Sequence, residues 1–240
     1  MSEAANTNTA PIFIAYAIPN RDCGQYSAGG ISSKQAYLAW IQGLSDGIGS
    51  GEAIIILEPD AIGLLKHCEE TDDAFDPVDQ VDSLRKAVEI LTSNPNRYVY
   101  IDVGHWVEAK FAADTIVSID PNQKLRGYST NVSNYKLTSR METRCQEVYN
   151  QLPNTHKLPC VIDTSRNKNG GFDVPGDDSW CNPPEQGLGE TPQWINSPQV
   201  DGYLWLKVPG ESDGECERNE PPAGMFWLER AIDLYQRSLN

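Results

Sequence analysis

The chain has 240 residues with 34 acidic against 19 basic side chains, a formal net charge of −15. That balance, with no basic run able to track a phosphate backbone, excludes nucleic acid and anionic membrane as partners. The length suits one sizeable α/β domain, and the longest apolar stretch falls far short of the ~20 residues a spanning helix needs.

Residues 1–10 are small and polar, without the charged start and apolar middle of a signal peptide. They read as a flexible remnant ahead of a single domain over residues 11–240. The first buried strand is expected from Ile12 to Ile18, ahead of Asp22. Ser32 and Ser33 are cap candidates for a helix carrying Tyr37, Ile41 and Leu44. A second strand, Ile54 to Leu57, runs into Glu58, Pro59 and Asp60, and Ala61 can open a helix. Val78, Val81, Leu84, Val88 and Leu91 recur at helical spacing. Strands follow at Tyr98 to Ile101 ahead of Asp102, at Gly127 to Asn131, and at Pro159 to Ile162 ahead of Asp163. The segment from Asn167 to Pro198 has neither period and reads as a long loop, a length that is uncommon unless functional. A last strand, Tyr203 to Leu206, precedes Asp213, and Met225, Leu228, Ile232, Tyr235 and Leu239 mark a closing helix.

Short apolar runs bounded by Gly, Pro or Asp predict buried parallel strands. Their alternation with helices predicts a parallel sheet with right-handed crossovers. Six such strands are too few for a closed eight-stranded barrel, so either the barrel is smaller and partly open or strands escape the pattern.

Six cysteines and only three histidines leave little for a Cys/His metal site, and disulfides are the better reading. Cys23, Cys68, Cys181 and Cys216 fall in predicted loops beside the acids. Staples there imply an oxidising compartment outside the cytoplasm. Cys145 and Cys160 are either a third pair or buried thiols.

Five of the strands end on an acid or on a short loop carrying one, and acids delivered by strand ends share one mouth. Pro59 biases Glu58 toward extended backbone and projects Asp60 past its strand, where it serves either as a helix cap or as a chemical group. Asp22, Asp102 and Asp213 in the same mouth would raise at least one carboxyl pKa and leave a general acid protonated near neutral pH. A second carboxylate that stays ionised completes the pair used in glycoside hydrolysis. Trp106, Trp180, Trp194 and Trp205 offer faces for sugar rings, although each Trp taken alone is more readily a core residue.

Seven ordered segments resemble glycoside hydrolase family 6, the cellulases: YAIPNRDCG from Tyr16, ILEPD ending at Asp60, DVGH from Asp102, STNVSNY from Ser129, VIDTSRN from Val161, WCNPP from Trp180 and LWLKVPGESDG from Leu204. The resemblance implies a distorted, incomplete parallel α/β barrel, TIM-like but lacking the family's first strand and helix. It also implies inverting hydrolysis of β-1,4-glucan with no metal or other cofactor, by a secreted monomer. Asp60 matches the general acid, Asp22 the acid that keeps its proton in place, and Asp213 the proposed base. Arg166 lies near that base, and Lys207 is expected beside it. A carboxylate held by two cations is a weak base, so a water relay with Asp213 as electrostatic partner is favoured.

By the same resemblance Asp102 and His105 position the sugar and the acid. Asn131, Asn134, Trp205, Lys207 and Glu211 match substrate contacts, and the two family disulfides fall on Cys23 with Cys68 and on Cys181 with Cys216. The family's water-holding serine falls on Ala28, with Ser27 one place early. The missing first strand takes with it a tyrosine near the reacting sugar and would leave apolar surface uncovered on the strand at Ile12. The family usually places a Trp two positions beyond Trp106. Short loops between paired cysteines resemble the open-cleft endoglucanase branch. A catalytically impaired glucan-binding protein or an exo-acting cellobiohydrolase are the alternatives, and a metal-dependent hydrolase is disfavoured by having only His67, His105 and His156.

Overall fold

The structure, a computed structural model, describes residues 2–7, 9–24, 27–71, 75–170 and 180–239. Residues 171–179 of the long segment after Asn167 lie outside the described residues. Two compact units emerge, one of residues 1–129 and 147–159, the other of residues 130–146 and 160–240.

In the first unit the order is α1 (Ser2–Thr7), β1 (Ile12–Ala15), α2 (Lys34–Ile48), β2 (Ala53–Leu57), α3 (Ala61–Thr71), α4 (Pro77–Leu91), β3 (Arg97–Asp102), α5 (Ala109–Ile119) and β4 (Gly127–Thr130), whose last residue belongs to the second unit. The strands are parallel, and their register sets Ala15, Leu57, Ile101 and Tyr128 level across neighbouring strands. Tyr16, Glu58, Asp102 and Ser129 therefore follow at one edge. Every residue of β2 is buried, as expected of a strand covered on both faces. β1 is different: Ile12 and Ile14 are each 38% exposed, so the expectation of full burial fails there and this strand does show apolar surface.

Helix starts follow local chemistry. Ser33 caps α2 by accepting the Ala36 amide. Asp76 caps α4 through the Val78 and Asp79 amides, with Pro77 placed where no donor is needed. The periodicity around Val78 predicts α4 well, whereas α5 has no counterpart in the predicted elements. Its buried stripe, Ala112, Ala113, Ile116 and Ile119, opens on two alanines, which give little hydrophobic contrast, and only its second half carries large apolar side chains.

The second unit holds residues 138–146 of α6 (Thr138–Gln151), then β5 (Cys160–Asp163), β6 (Gln193–Trp194), β7 (Val200–Leu204) and α7 (Leu228–Ser238). β5 and β7 pair in parallel, with Asp163 level with Leu204. β6 runs antiparallel to β7, so the stretch read as a long loop contains a short strand. α6 was also not predicted. The apolar stripe that marks α7 faces outward: Leu228, Ile232, Tyr235 and Leu239 are 57%, 47%, 57% and 68% exposed, while Arg230 and Leu234 are buried. Among the described residues no helix is long and apolar enough to cross a membrane.

Candidate active site

Asp60 stands one residue before α3 with φ +67°, in the left-handed region that a side chain other than Gly seldom occupies. Its amide donates to Asp102 Oδ1 at 2.9 Å, which fixes the turn. Burial pushes the Asp60 carboxyl well above the ordinary carboxylate range, and the charges of Asp102 and Asp22 push it the same way. A carboxyl so placed favours its protonated form, the form a general acid needs.

Asp102 is itself fully buried at the end of β3. It accepts the Asp60 and Gly104 amides on one oxygen and the Ser129 hydroxyl on the other. It thus acts on the acid through backbone and charge.

Asp22 lies in a single 3-10 turn, Asp22–Gly24, within a left-handed run that includes Asn20, Cys23 and Gly24. Its Oδ2 accepts the Ser27 amide at 2.6 Å. The Cys23–Cys68 disulfide, with Cα atoms 5.3 Å apart, ties this turn to α3, which places Cys68 in a helix where a loop was expected. Ala28 contributes only its carbonyl, to Arg21.

Tyr16 corrects the expectation that no tyrosine stands near the reacting centre. Burial raises its hydroxyl pKa first and the Asp60 charge next, with Asp22 adding to the effect, and Ser27 hydrogen-bonds it. The Arg21 guanidinium stacks 4.3 Å from its ring centroid and donates to its carbonyl. A tyrosine closing an apolar strand looks like core in sequence, and only the register sets it beside the acids.

His105 meets Trp106 edge to face at 5.0 Å. Trp106 is 48% exposed and lies over Gly63 and Gly104, where an added Cβ would come within 2.7 Å and 3.1 Å of the indole. Gly63 belongs to the first turn of α3, so an exposed aromatic face stands beside the acid without a Trp two positions later. Trp194 is 49% exposed, so for these two tryptophans the core expectation fails.

In the second unit Asp213 is the focus. Its carboxylate pairs with Arg166 at 2.9 Å and 3.1 Å, one contact per oxygen. It also accepts the Tyr135 hydroxyl at 2.6 Å and the Asn182 amide at 3.1 Å. Such a bidentate, charge-assisted arrangement is strong and directional. The expected second cation is elsewhere: Lys207 pairs with Glu211 at 3.3 Å.

Asn182 Oδ1 in turn accepts the Asp213 amide at 2.8 Å, and the Cys181–Cys216 disulfide, Cα atoms 5.7 Å apart, holds its neighbour in place. Tyr135 and Asn182 lie inside the motifs from Ser129 and Trp180, where the sequence alone assigns them no role. Tyr135 stacks on Arg166 at 4.4 Å, and burial raises its hydroxyl pKa, as does Asp213. Cys145 and Cys160 form the third disulfide, with Cα atoms 5.9 Å apart.

The remaining predicted residues divide. Trp205 donates to the Glu190 carbonyl and is partly exposed, as are Asn134, Lys207 and Glu211. Asn131 is fully buried and joins Lys136 and the Asp163 carbonyl; it braces the loop instead of presenting an amide to a ligand. Among the described residues no group of three or more His, Cys, Asp or Glu side chains could hold a metal ion.

Residues 1–238 match the family model described as glycosyl hydrolases family 6. The chain belongs to glycosyl hydrolase family 6. It is 37% identical to endoglucanase A of Thermobispora bispora over 241 residues, covering 96% of this chain and 49% of that protein. It is 36% identical to endoglucanase A of Cellulomonas fimi over 234 residues, covering 96% and 48%. This family 6 chain thus spans about half the length of these two relatives.

Among solved structures, the endoglucanase Cel6 of Mycobacterium tuberculosis, in complex with methyl-cellobiosyl-4-deoxy-4-thio-β-D-cellobioside, has a TM-score of 0.89 at 36% identity, over 100% of this chain and 80% of that one. That likeness bears out the fold class, a mostly parallel, distorted and incomplete α/β barrel.

Proposed function

We propose that this chain is a secreted endo-β-1,4-glucanase that hydrolyses cellulose or soluble β-glucan with inversion of the anomeric centre. The observation that carries the reading is Asp60, a carboxyl whose burial and acidic neighbours Asp102 and Asp22 favour its protonated form. Asp60 gives its proton to the glycosidic oxygen as the bond to the anomeric carbon breaks. A water molecule attacks the opposite face of the sugar, as inversion requires, and loses its proton through a relay. Asp213, committed to Arg166 and Tyr135, serves as electrostatic partner of that relay and not as the base itself, while Asp22 and Tyr16 flank the acid. Endoglucanase relatives and the oligosaccharide analogue bound to the similar structure support this substrate class. Three disulfides support an extracellular site of action.

Asp60→Asn is the test, assayed on carboxymethylcellulose and barley β-glucan, with proton NMR of the first anomer released. Loss of at least ~100-fold in rate with the α-anomer formed first by the parent is expected, in the range general acid catalysis contributes. Unchanged activity in the variant, or a β-anomer first, overturns the assignment. The alanine at position 28 favours a second reading, a catalytically impaired β-glucan-binding protein. Calorimetric binding of cello-oligosaccharides without any release of reducing ends would select it.

A further inference from the structure

Asp163, at the end of β5, is fully buried, and among the described residues its carboxylate forms no ion pair, although the Arg166 charge acts on it. Four backbone amides surround it instead. Oδ1 accepts Ser165 at 2.9 Å and Leu206 at 3.3 Å. Oδ2 accepts Ser133 at 2.9 Å and Lys207 at 3.2 Å. Those donors come from three chain segments, those following β4, β5 and β7.

Burial raises the Asp163 pKa, while the amides of Ser165 and Ser133 and the Arg166 charge pull the other way; two donors on each oxygen leave no lone pair for a carboxyl hydrogen, so the geometry is built for the ionised form. Ser133 then relays the hold: its backbone is left-handed, φ +59°, its amide faces Asp163, and its carbonyl accepts Arg166 Nη2 at 2.7 Å. The same guanidinium grips Asp213.

We propose that Asp163 is a positioning residue, an internal anion that gathers the three loop ends and through Ser133 sets the aim of Arg166 on Asp213. The inference rests on the role given to Asp213 above. Asn is the informative replacement because it has the same shape, yet its NH₂ would confront two amide donors in either orientation.

Asp163→Asn is expected to lower kcat on barley β-glucan ~100-fold, the scale on which a misplaced group slows catalysis, with KM changed by less than about threefold. In an Arg166→Met background the same change should cost less than about threefold, since groups that act through one another are not additive. Formate should restore at least about tenfold of the activity missing from Asp163→Gly by refilling the space with a carboxylate, and this pair serves if the Asn variant does not fold.

Full kcat in Asp163→Asn, full multiplication of its loss with that of Arg166→Met, or a glycine variant that formate leaves inactive each overturns the proposal. Should the parent protein itself release no sugar, the function proposed above fails. Hydrogen exchange then decides about Asp163: tenfold or faster exchange of the Ser133, Ser165, Leu206 and Lys207 amides in Asp163→Asn is expected on the order of a lost hydrogen bond, and unchanged exchange refutes it.

Discussion

Glu58 and Asp60 are two residues apart and take different jobs because of what their side chains meet. Glu58 is fully buried and accepts the Ala17 and Ile18 amides at 2.9 Å and 3.0 Å. Burial pushes its pKa from 4.5 to about 7, against the pull of those amides, of Tyr37 and of Arg21. Between those values the native state holds a proton that the unfolded chain has released, so stability falls as pH rises from 4.5 toward 7. The swing is on the order of 3 kcal/mol. Glu58→Gln keeps an acceptor for both amides and cannot titrate, and its thermal midpoint should be flatter across that window; an unchanged slope would refute the assignment. Asp60 meets other acids instead. Asp102→Asn keeps an oxygen for the Asp60 and Gly104 amides, and the Ser129 hydroxyl can turn to accept its NH₂. It removes one charge that raises the Asp60 pKa, so the basic limb of kcat/KM should move to lower pH, with burial retaining part of the shift. A limb that stays in place would count against Asp102 as a source of that shift.

At the scale of elements, strand-end carboxylates serve as ties between neighbouring loops. Glu58 after β2 holds the chain leaving β1, Asp102 at the end of β3 holds the turn after β2 and a hydroxyl of β4, and Asp163 at the end of β5 holds chain after β4 and β7. The reading of acids at strand ends as one set of chemical groups is therefore corrected: part of the set satisfies backbone donors that would otherwise be buried without partners. Strands and the helices α2 and α4 were legible from period and caps. α6 was not, because its buried Met141, Cys145 and Val148 are embedded in charged sequence, and β6 is too short to show a period. Cys145 in α6 and Cys160 in β5 are 15 positions apart, and a closed loop of that size restrains the unfolded chain by roughly 3 kcal/mol. The double substitution Cys145→Ala with Cys160→Ala should lower unfolding free energy in urea by about that amount, and a loss below about 0.5 kcal/mol would show that the unfolded chain is not restrained as supposed.

For the molecule as a whole, the outward stripe of α7 and the open face of β1 set surface chemistry that a net charge of −15 does not hide. Apolar patches of this kind bind apolar dyes. Ile232→Gln, at a position 47% exposed, should reduce dye fluorescence on the native protein while shifting stability by no more than about 0.5 kcal/mol, as surface substitutions do; a large stability loss would mean that the stripe is core after all. By itself the sequence determined the α/β class, the family and the identity of Asp60, Asp22 and Asp213 as the acids to follow, because strand patterning and short motifs are local. Tertiary structure alone decided that Tyr16 stands with the acids, that Lys207 serves Glu211, that Asn131 and Asp163 work inward, and that the α7 stripe faces out. Each of these depends on which groups the folded chain brings together or leaves to solvent, and spacing along the chain does not fix that.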